Sequence, residues 1–368
     1  MWGISHSRDF KVYSFANNYS KDLLKWAYDN KIRFQDIDEI LDWAKKENTN
    51  DPPYILRIKK LAKKRRIVRS HMYTLHMYNK KKLMKVINAQ RYLSKNYTKI
   101  IKGKNKNYGF IDEETIKDLR VIFKYAYNKL LYNENFWEVY DAGSPVSNET
   151  IRRRICSKIK ICPYCDKSDI SSSEVNVDHF LPQSKFPLLS IHWKNFVLAC
   201  KPCNDSLNKG ELCHLPVLHP FFDEINKYIK FEFKSECKTV NIQTAYKKGV
   251  YRSRAENFIE VMNLKERYIR LWPNSLEKTL TQSINSAFHK HVLYKGDYNK
   301  SKWERLFNQI IQENKIDLMD EAGQETQIKL RLDFCEHVRS NDNNLWLQHL
   351  EKLIHKRREL VASINEHL

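Results

Sequence analysis

The sequence predicts an α+β protein, mainly helical, with a small cysteine-stapled module at its centre and helical regions on either side. Three observations carry that expectation. Only 8 glycines occur in 368 residues, which suits helices better than turn-dense sheet. Apolar stripes at helical spacing run over 14–46 and 112–133 and return from about residue 253. Between them, two C-x-x-C pairs, Cys162/Cys165 and Cys200/Cys203, sit among short strand-like runs. The length exceeds one ordinary core, so three parts are expected: a basic helical region 1–150, the central module 151–225, and a β-hairpin with helices over 226–368.

The first helical pair lies in SFANNYSKDLLKWAYDNKIRFQDIDEILDWAKK. Leu23, Leu24, Trp26 and Ala27 mark one stripe, and Ile37, Ile40, Leu41 and Trp43 the other, before NTNDPP breaks the pattern. No acidic residue then occurs between Asp51 and Asp112, a stretch that includes RIKKLAKKRRIVR, NKKKLMK and KIIKGKNK. His71, Tyr73, His76, Tyr78, Tyr92 and Tyr97 are interleaved with the cations. A solvated helix face over packed aromatics is one reading. A one-sign stretch of this length nevertheless repels itself unless a polyanion neutralises it. With a net charge of +21, the expectation is phosphate binding through Lys63, Lys64, Arg65, Arg66, Arg69, Lys80, Lys81 and Lys82. An acidic protein surface is the competing partner. Residues 112–133 read as a further helix, AGSPVSNET (142–150) as a linker and 227–249 as a β-hairpin. The C-terminal helices carry no chemical motif and read as scaffold or partner-binding surface.

Several classes are set aside. The glycine patterns of nucleotide-binding loops are absent, so the chain is not an evident ATPase. No signal-type segment or membrane-length apolar run is seen, which gives the expectation of a soluble, cytoplasmic protein without membrane contact. In that setting the 8 cysteines read as metal ligands and core thiols, not as a disulfide frame. Cys162, Cys165, Cys200 and Cys203 have the spacing of a four-thiolate structural Zn²⁺ site. Cys156, Cys237 and Cys335 read as buried thiols. Cys213, His214 and His219 take packing or supporting roles, and His192 and Trp193 structural ones.

Between the cysteine pairs the strand-like EVNV runs into VDHFLPQS. The order C-x-x-C, V-D-H-F-x-P-x-S, then N-x-V-L-x-C-x-x-C-N resembles the HNH endonuclease family with its ββα-metal fold, over about residues 158–215. That resemblance implies hydrolysis of phosphodiester bonds. His179 would be the general base, Asp178 a ligand of catalytic Mg²⁺ or Mn²⁺, Asn204 a second ligand at a helix start, and Asn195 the residue that ties the loop and holds the base. The chemistry has need of these types: an imidazole accepts a water's proton at neutral pH, and an oxygen-bound divalent ion stabilises charge on the phosphoryl and leaving oxygens. Asp178 and His179 are neighbours, so on a regular strand they point apart unless the chain bends at Pro182.

The helix segment reads C-N-D-S-L-N-K-G where the family has C-N-x-x-K. Asn208, one turn on, is therefore an alternative to Asn204, with Asn204 preferred. Lys209 is expected on a phosphate or in solvent. LPVLHPFFDE and RAENFIEVMNLKERY resemble, more loosely, the HNH effectors of bacterial anti-phage systems of the Septu type, which implies a partner ATPase subunit. By family weight DNA ranks ahead of RNA as substrate. A reading of another class is a non-catalytic, zinc-bearing nucleic-acid-binding adaptor, which would have no use for the Asp–His–Asn set.

Overall fold

The computed structural model describes residues 14–46, 48–104, 111–131, 133–140, 160–170, 175–205, 209, 212–288, 290, 300–322 and 325–340. The AGSPVSNET linker, Cys156 and Asn208 lie outside them.

The N-terminal part is a stack of helices: α1 (Ser14–Asp29), α2 (Ile37–Lys45), α3 (Pro53–Lys64), α4 (Arg66–His76), α5 (Lys80–Ile101), α6 (Glu113–Tyr125) and α7 (Glu134–Tyr140). Side chains cap the starts of α2, α5 and α6. Asp36 accepts from the backbone of Asp38 and Glu39, Asn79 from Lys82, and Asp112 from Thr115, satisfying amides that a helix start leaves without partners. The stripes read from the sequence face inward, with Leu23, Leu24, Trp26 and Ile40 buried. α6 ends in a π-helical turn, Ala126–Leu130. Just past the end of α5, Gly103 turns the chain with a positive φ of 71°; a Cβ there would lie 2.8 Å from Pro216.

The centre is a two-stranded antiparallel sheet of β1 (Val175–His179) and β2 (Phe196–Cys200), in which Asp178 opposes Val197 and His179 opposes Phe196. A second hairpin, β3 (Ile229–Lys234) and β4 (Thr239–Thr244), alternates buried Phe231 and Phe233 with exposed residues. Then come α8 (Val250–Val261), α9 (Leu264–Tyr268), α10 (Asn274–Phe288), α11 (Lys300–Asp320) and α12 (Ile328–Ser340). The chain is thus mainly helical, with a small β-containing centre. No helix among the described residues is long and apolar enough to cross a membrane.

Elements distant in sequence brace the centre. The segment after β2 is tied to α5 by Val217 N–H donating to Ile101 O at 2.8 Å. It is tied to α8 by Arg254, which donates to Val217 O at 3.2 and 3.1 Å and pairs with Asp223 at 2.5 Å, both side chains 3% exposed. Asn257 of the same helix donates to Pro216 O at 2.7 Å. One correction concerns Cys237. It is exposed, because it lies in the turn joining β3 to β4 and not on the packed face, whereas Cys335 is buried as expected.

Candidate active site

The first cysteine pair sits on a tight turn. Asp166 N–H donates to Cys162 O at 2.9 Å, and Asp166 takes a left-handed φ of 55°. The second pair joins the end of β2 to a 3-10 turn, Lys201–Cys203. The four sulfurs lie within 4.8 Å of one another, all buried, and Cys165 Sγ is 3.8 Å from Cys200 Sγ. Zinc–sulfur bonds of about 2.3 Å give a tetrahedron with edges of about 3.8 Å, so the four thiols fit Zn²⁺. Zinc with four thiolates carries two excess negative charges. Arg267 answers them, its Nη1 2.7 Å from Cys203 Sγ. Burial lowers the Arg267 pKa, but the thiolates of Cys203 and Cys165 outweigh it and hold the guanidinium charged. The next residue, Tyr268, hydrogen-bonds Cys165 O. Cys213 is half-buried outside the cluster, and His214 pairs with Glu260 at 3.2 Å.

His179 ends β1. Its Nε2 lies 2.8 Å from Ser190 O, and the Gln183 side-chain amide approaches the same nitrogen at 3.0 Å. A backbone carbonyl only accepts, so the shorter contact to Ser190 O sets the proton on Nε2 and the lone pair on Nδ1, and the Gln183 amide nitrogen beside it makes no hydrogen bond to that N–H. The ring packs edge-on against Tyr127 at 4.2 Å and Phe196 at 5.4 Å. That burial pushes the His179 pKa down to about 4, which keeps the imidazole neutral at pH 7, the form a base must have. Tyr127 stands in the π-helical turn and donates its hydroxyl to Val177 O at 2.9 Å.

Asn195 is fully buried. Its Oδ1 accepts from Leu181 N–H at 2.7 Å and from Tyr97 OH at 3.0 Å, and its Nδ2 donates to Leu181 O at 3.0 Å and Leu189 O at 3.3 Å. These bonds close the loop from Phe180 to Ile191, including the carbonyl side on which His179 rests. His219, also buried, packs on Phe180 with ring centroids 4.2 Å apart.

Asp178 points to the other side of the strand. Its Oδ2 accepts from Tyr164 OH at 2.6 Å and is ion-paired with Lys209. Lys209 Nζ also donates to His179 O at 2.6 Å. Lys209 is 2% exposed, so the expectation of a solvated lysine is corrected: a buried carboxylate demands a cation, and this lysine supplies it. Asn204 is half-buried and follows the 3-10 turn, its backbone N–H donating to Cys200 O at 3.2 Å and Lys201 O at 3.1 Å. Asp178, His179, Asn195 and the cysteines therefore cluster around one two-stranded hairpin. The Asp178 carboxylate is the hard oxygen donor a divalent ion takes, and in this structure Lys209 occupies that oxygen.

The basic residues divide. Lys63, Lys64 and Arg66 are exposed and Arg65 half-buried at the α3–α4 junction, while Lys80 and Lys81 are exposed at the start of α5. Helix α4 separates the two groups by about 16 Å. Lys82 lies 3.9 Å from the Tyr78 ring centre. Arg69 is buried and donates to Ala62 O at 2.7 Å, which corrects its place among surface phosphate contacts: it serves the α3–α4 turn. The interleaved aromatics are structural too, with Tyr73 donating to Gln35 O, Tyr78 to Asp118 and Tyr97 to Asn195.

Sequence reasoning missed Tyr97, Tyr127, Tyr164, Arg254, Arg267 and Tyr268. The last three lie in RAENFIEVMNLKERY, which therefore anchors both the segment after β2 and the cysteine cluster.

Comparison with known proteins agrees with this geometry. The HNH endonuclease family matches residues 162–210, a span that begins at the first zinc-type cysteine and ends one residue after Lys209. Septu protein PtuB of Bacillus thuringiensis is 33% identical over 70 residues, which covers 19% of this chain and 27% of that protein. No solved structure matches. An HNH endonuclease domain with four clustered cysteines is thus present, flanked by helices.

Proposed function

We propose that the chain is a metal-dependent nuclease that hydrolyses phosphodiester bonds, with DNA ahead of RNA as substrate, and that it acts in anti-phage defence beside a partner ATPase subunit. The observation that carries the reading is His179, neutral and held by Ser190 O at the end of the strand that also bears Asp178. Similarity to a Septu protein supports the defence role.

The chain's own residues divide the work as follows. His179 takes a water's proton on Nδ1, because Nε2 is committed to Ser190 O. Asn195 fixes the loop that carries this carbonyl, and Tyr127 and Phe196 keep the ring from turning. Asp178 would hold a Mg²⁺ or Mn²⁺ ion together with Asn204, or with Asn208, which lies outside the described residues. When bound, that ion stabilises negative charge on the phosphoryl oxygens and the departing 3′ oxygen. The four thiolates take structural Zn²⁺ and stay out of the reaction. Exposed Lys63, Lys64, Arg66, Lys80 and Lys81 hold backbone phosphates without reading sequence.

The test is incubation of the zinc-loaded full chain with plasmid, single-stranded DNA and tRNA, with Mg²⁺ or Mn²⁺, beside His179→Ala. Cleavage lost in the variant supports the proposal and names the substrate. Binding without cleavage, unaltered by added partner ATPase, turns the account to the adaptor reading.

A further inference from the structure

Lys209 is buried at 2% exposure with its ammonium against Asp178 Oδ2 and 2.6 Å from His179 O. The same Oδ2 accepts from Tyr164 OH at 2.6 Å. The rings of Tyr164 and Phe180 each lie 5.8 Å from Nζ. Lys209 thus joins the side chain of one proposed catalytic residue to the backbone of the next, in a cage built for a positive charge. A divalent ion on this carboxylate would bind at about 2.0–2.1 Å for Mg²⁺. An ammonium on the same oxygen would then stand within a few ångströms of a double positive charge, in a setting that screens poorly. The two cations exclude each other.

We infer that Lys209 is a resident counter-cation, so that a divalent ion enters the Asp178 site only by displacing it. The inference rests on the proposed role of Asp178 as metal ligand. Its consequence is a built-in dependence. The Asp178–Lys209 pair is neutral and attracts a metal far less than a bare carboxylate does. The displaced ammonium loses both oxygens and needs a new anion, which an arriving phosphate supplies. Metal and polyanion should therefore support each other's binding.

The test measures metal binding, not cleavage. Zinc-loaded protein, Lys209→Met and Asp178→Asn are titrated with Mn²⁺, free Mn²⁺ being read by electron paramagnetic resonance and zinc content confirming the fold. The K209M protein should bind at least tenfold tighter than the parent, and D178N should lose the site. Should K209M fail to fold, the parent protein decides alone. Acetylation of Lys209 by an acetylating reagent, read by peptide mass spectrometry, should be low without Mn²⁺ and rise when Mn²⁺ is added. Equal Mn²⁺ affinity in parent and K209M, lost in D178N, with acetylation that ignores Mn²⁺, overturns the inference and leaves Asp178 as a ligand. Absence of an Asp178-dependent Mn²⁺ site from both proteins overturns the ligand role as well.

Discussion

Replacing Arg254 by Met cuts the brace that joins α8 to the segment after β2. Arg254 and Asp223 pair at 2.5 Å with both side chains 3% exposed, and Arg254 also donates twice to Val217 O. The substitution leaves a carboxylate in the interior without its cation, His219 N–H still donating to it at 2.9 Å. Breaking one side of a buried pair costs about 3–5 kcal/mol, most of it the desolvated charge left behind. For a chain of this size that is a fall in Tm of roughly 5–15 °C. Asp223→Asn strands Arg254 in the same way while its amide oxygen still accepts from His219. The double variant removes both charges, so its loss should be smaller than the two single losses combined by about 2–3 kcal/mol. The assay is thermal unfolding of all four zinc-loaded proteins at one concentration and salt. Additive losses, within about 0.5 kcal/mol, would refute the reasoning and make the contact incidental.

Other expectations follow from the same contacts. Arg267→Gln should release zinc to a colorimetric chelator faster and bind it about 10–100-fold more weakly, as loss of a group supporting metal ligands does, with Arg267→Lys between; unchanged retention would remove its role in balancing thiolate charge. Cys165→Ser, or prolonged chelation, should melt the central module, seen as loss of near-ultraviolet circular dichroism, because zinc binding and folding are coupled there. His71 and His192 are buried with neither ring nitrogen hydrogen-bonded among the described residues, and burial pushes their pKa values down to about 4 and about 3. An unfolded histidine titrates near 6.5 and takes up protons first as pH falls, so the native state loses stability below about 6.5, His71 alone accounting for about 3 kcal/mol by pH 4. His71→Phe should flatten part of that slope in Tm between pH 7 and 4.5, and an unaltered slope would count against it.

What the sequence revealed and what it hid divide by distance along the chain. The cysteines are legible in the spacing of two C-x-x-C pairs, each of which a single turn can gather, whereas Asp178, His179 and Asn195 stand out through the order of residues shared with the HNH family. Tyr97 reaches Asn195 across 98 positions and Arg254 reaches Asp223 across 31; such partners leave no periodic mark. RAENFIEVMNLKERY stood out as a phrase, but only the fold shows Arg254 and Arg267 at two different charge sites. Lys209 was misplaced for a related reason: spacing could not show that Asp178 is buried and must have a cation beside it. The basic stretch was half legible. Its charge is real, yet burial takes Arg69 out of it and α4 splits the remainder into two patches.

The central claim is that His179 accepts the proton in phosphodiester cleavage. The most direct measurement is single-turnover cleavage by zinc-loaded His179→Gly, with and without added imidazole, under conditions where parent and variant bind the substrate equally. The account predicts a rate lower by about 10²–10⁴-fold, partly restored by imidazole in its neutral form. Cleavage by the variant at the parent's rate would contradict it.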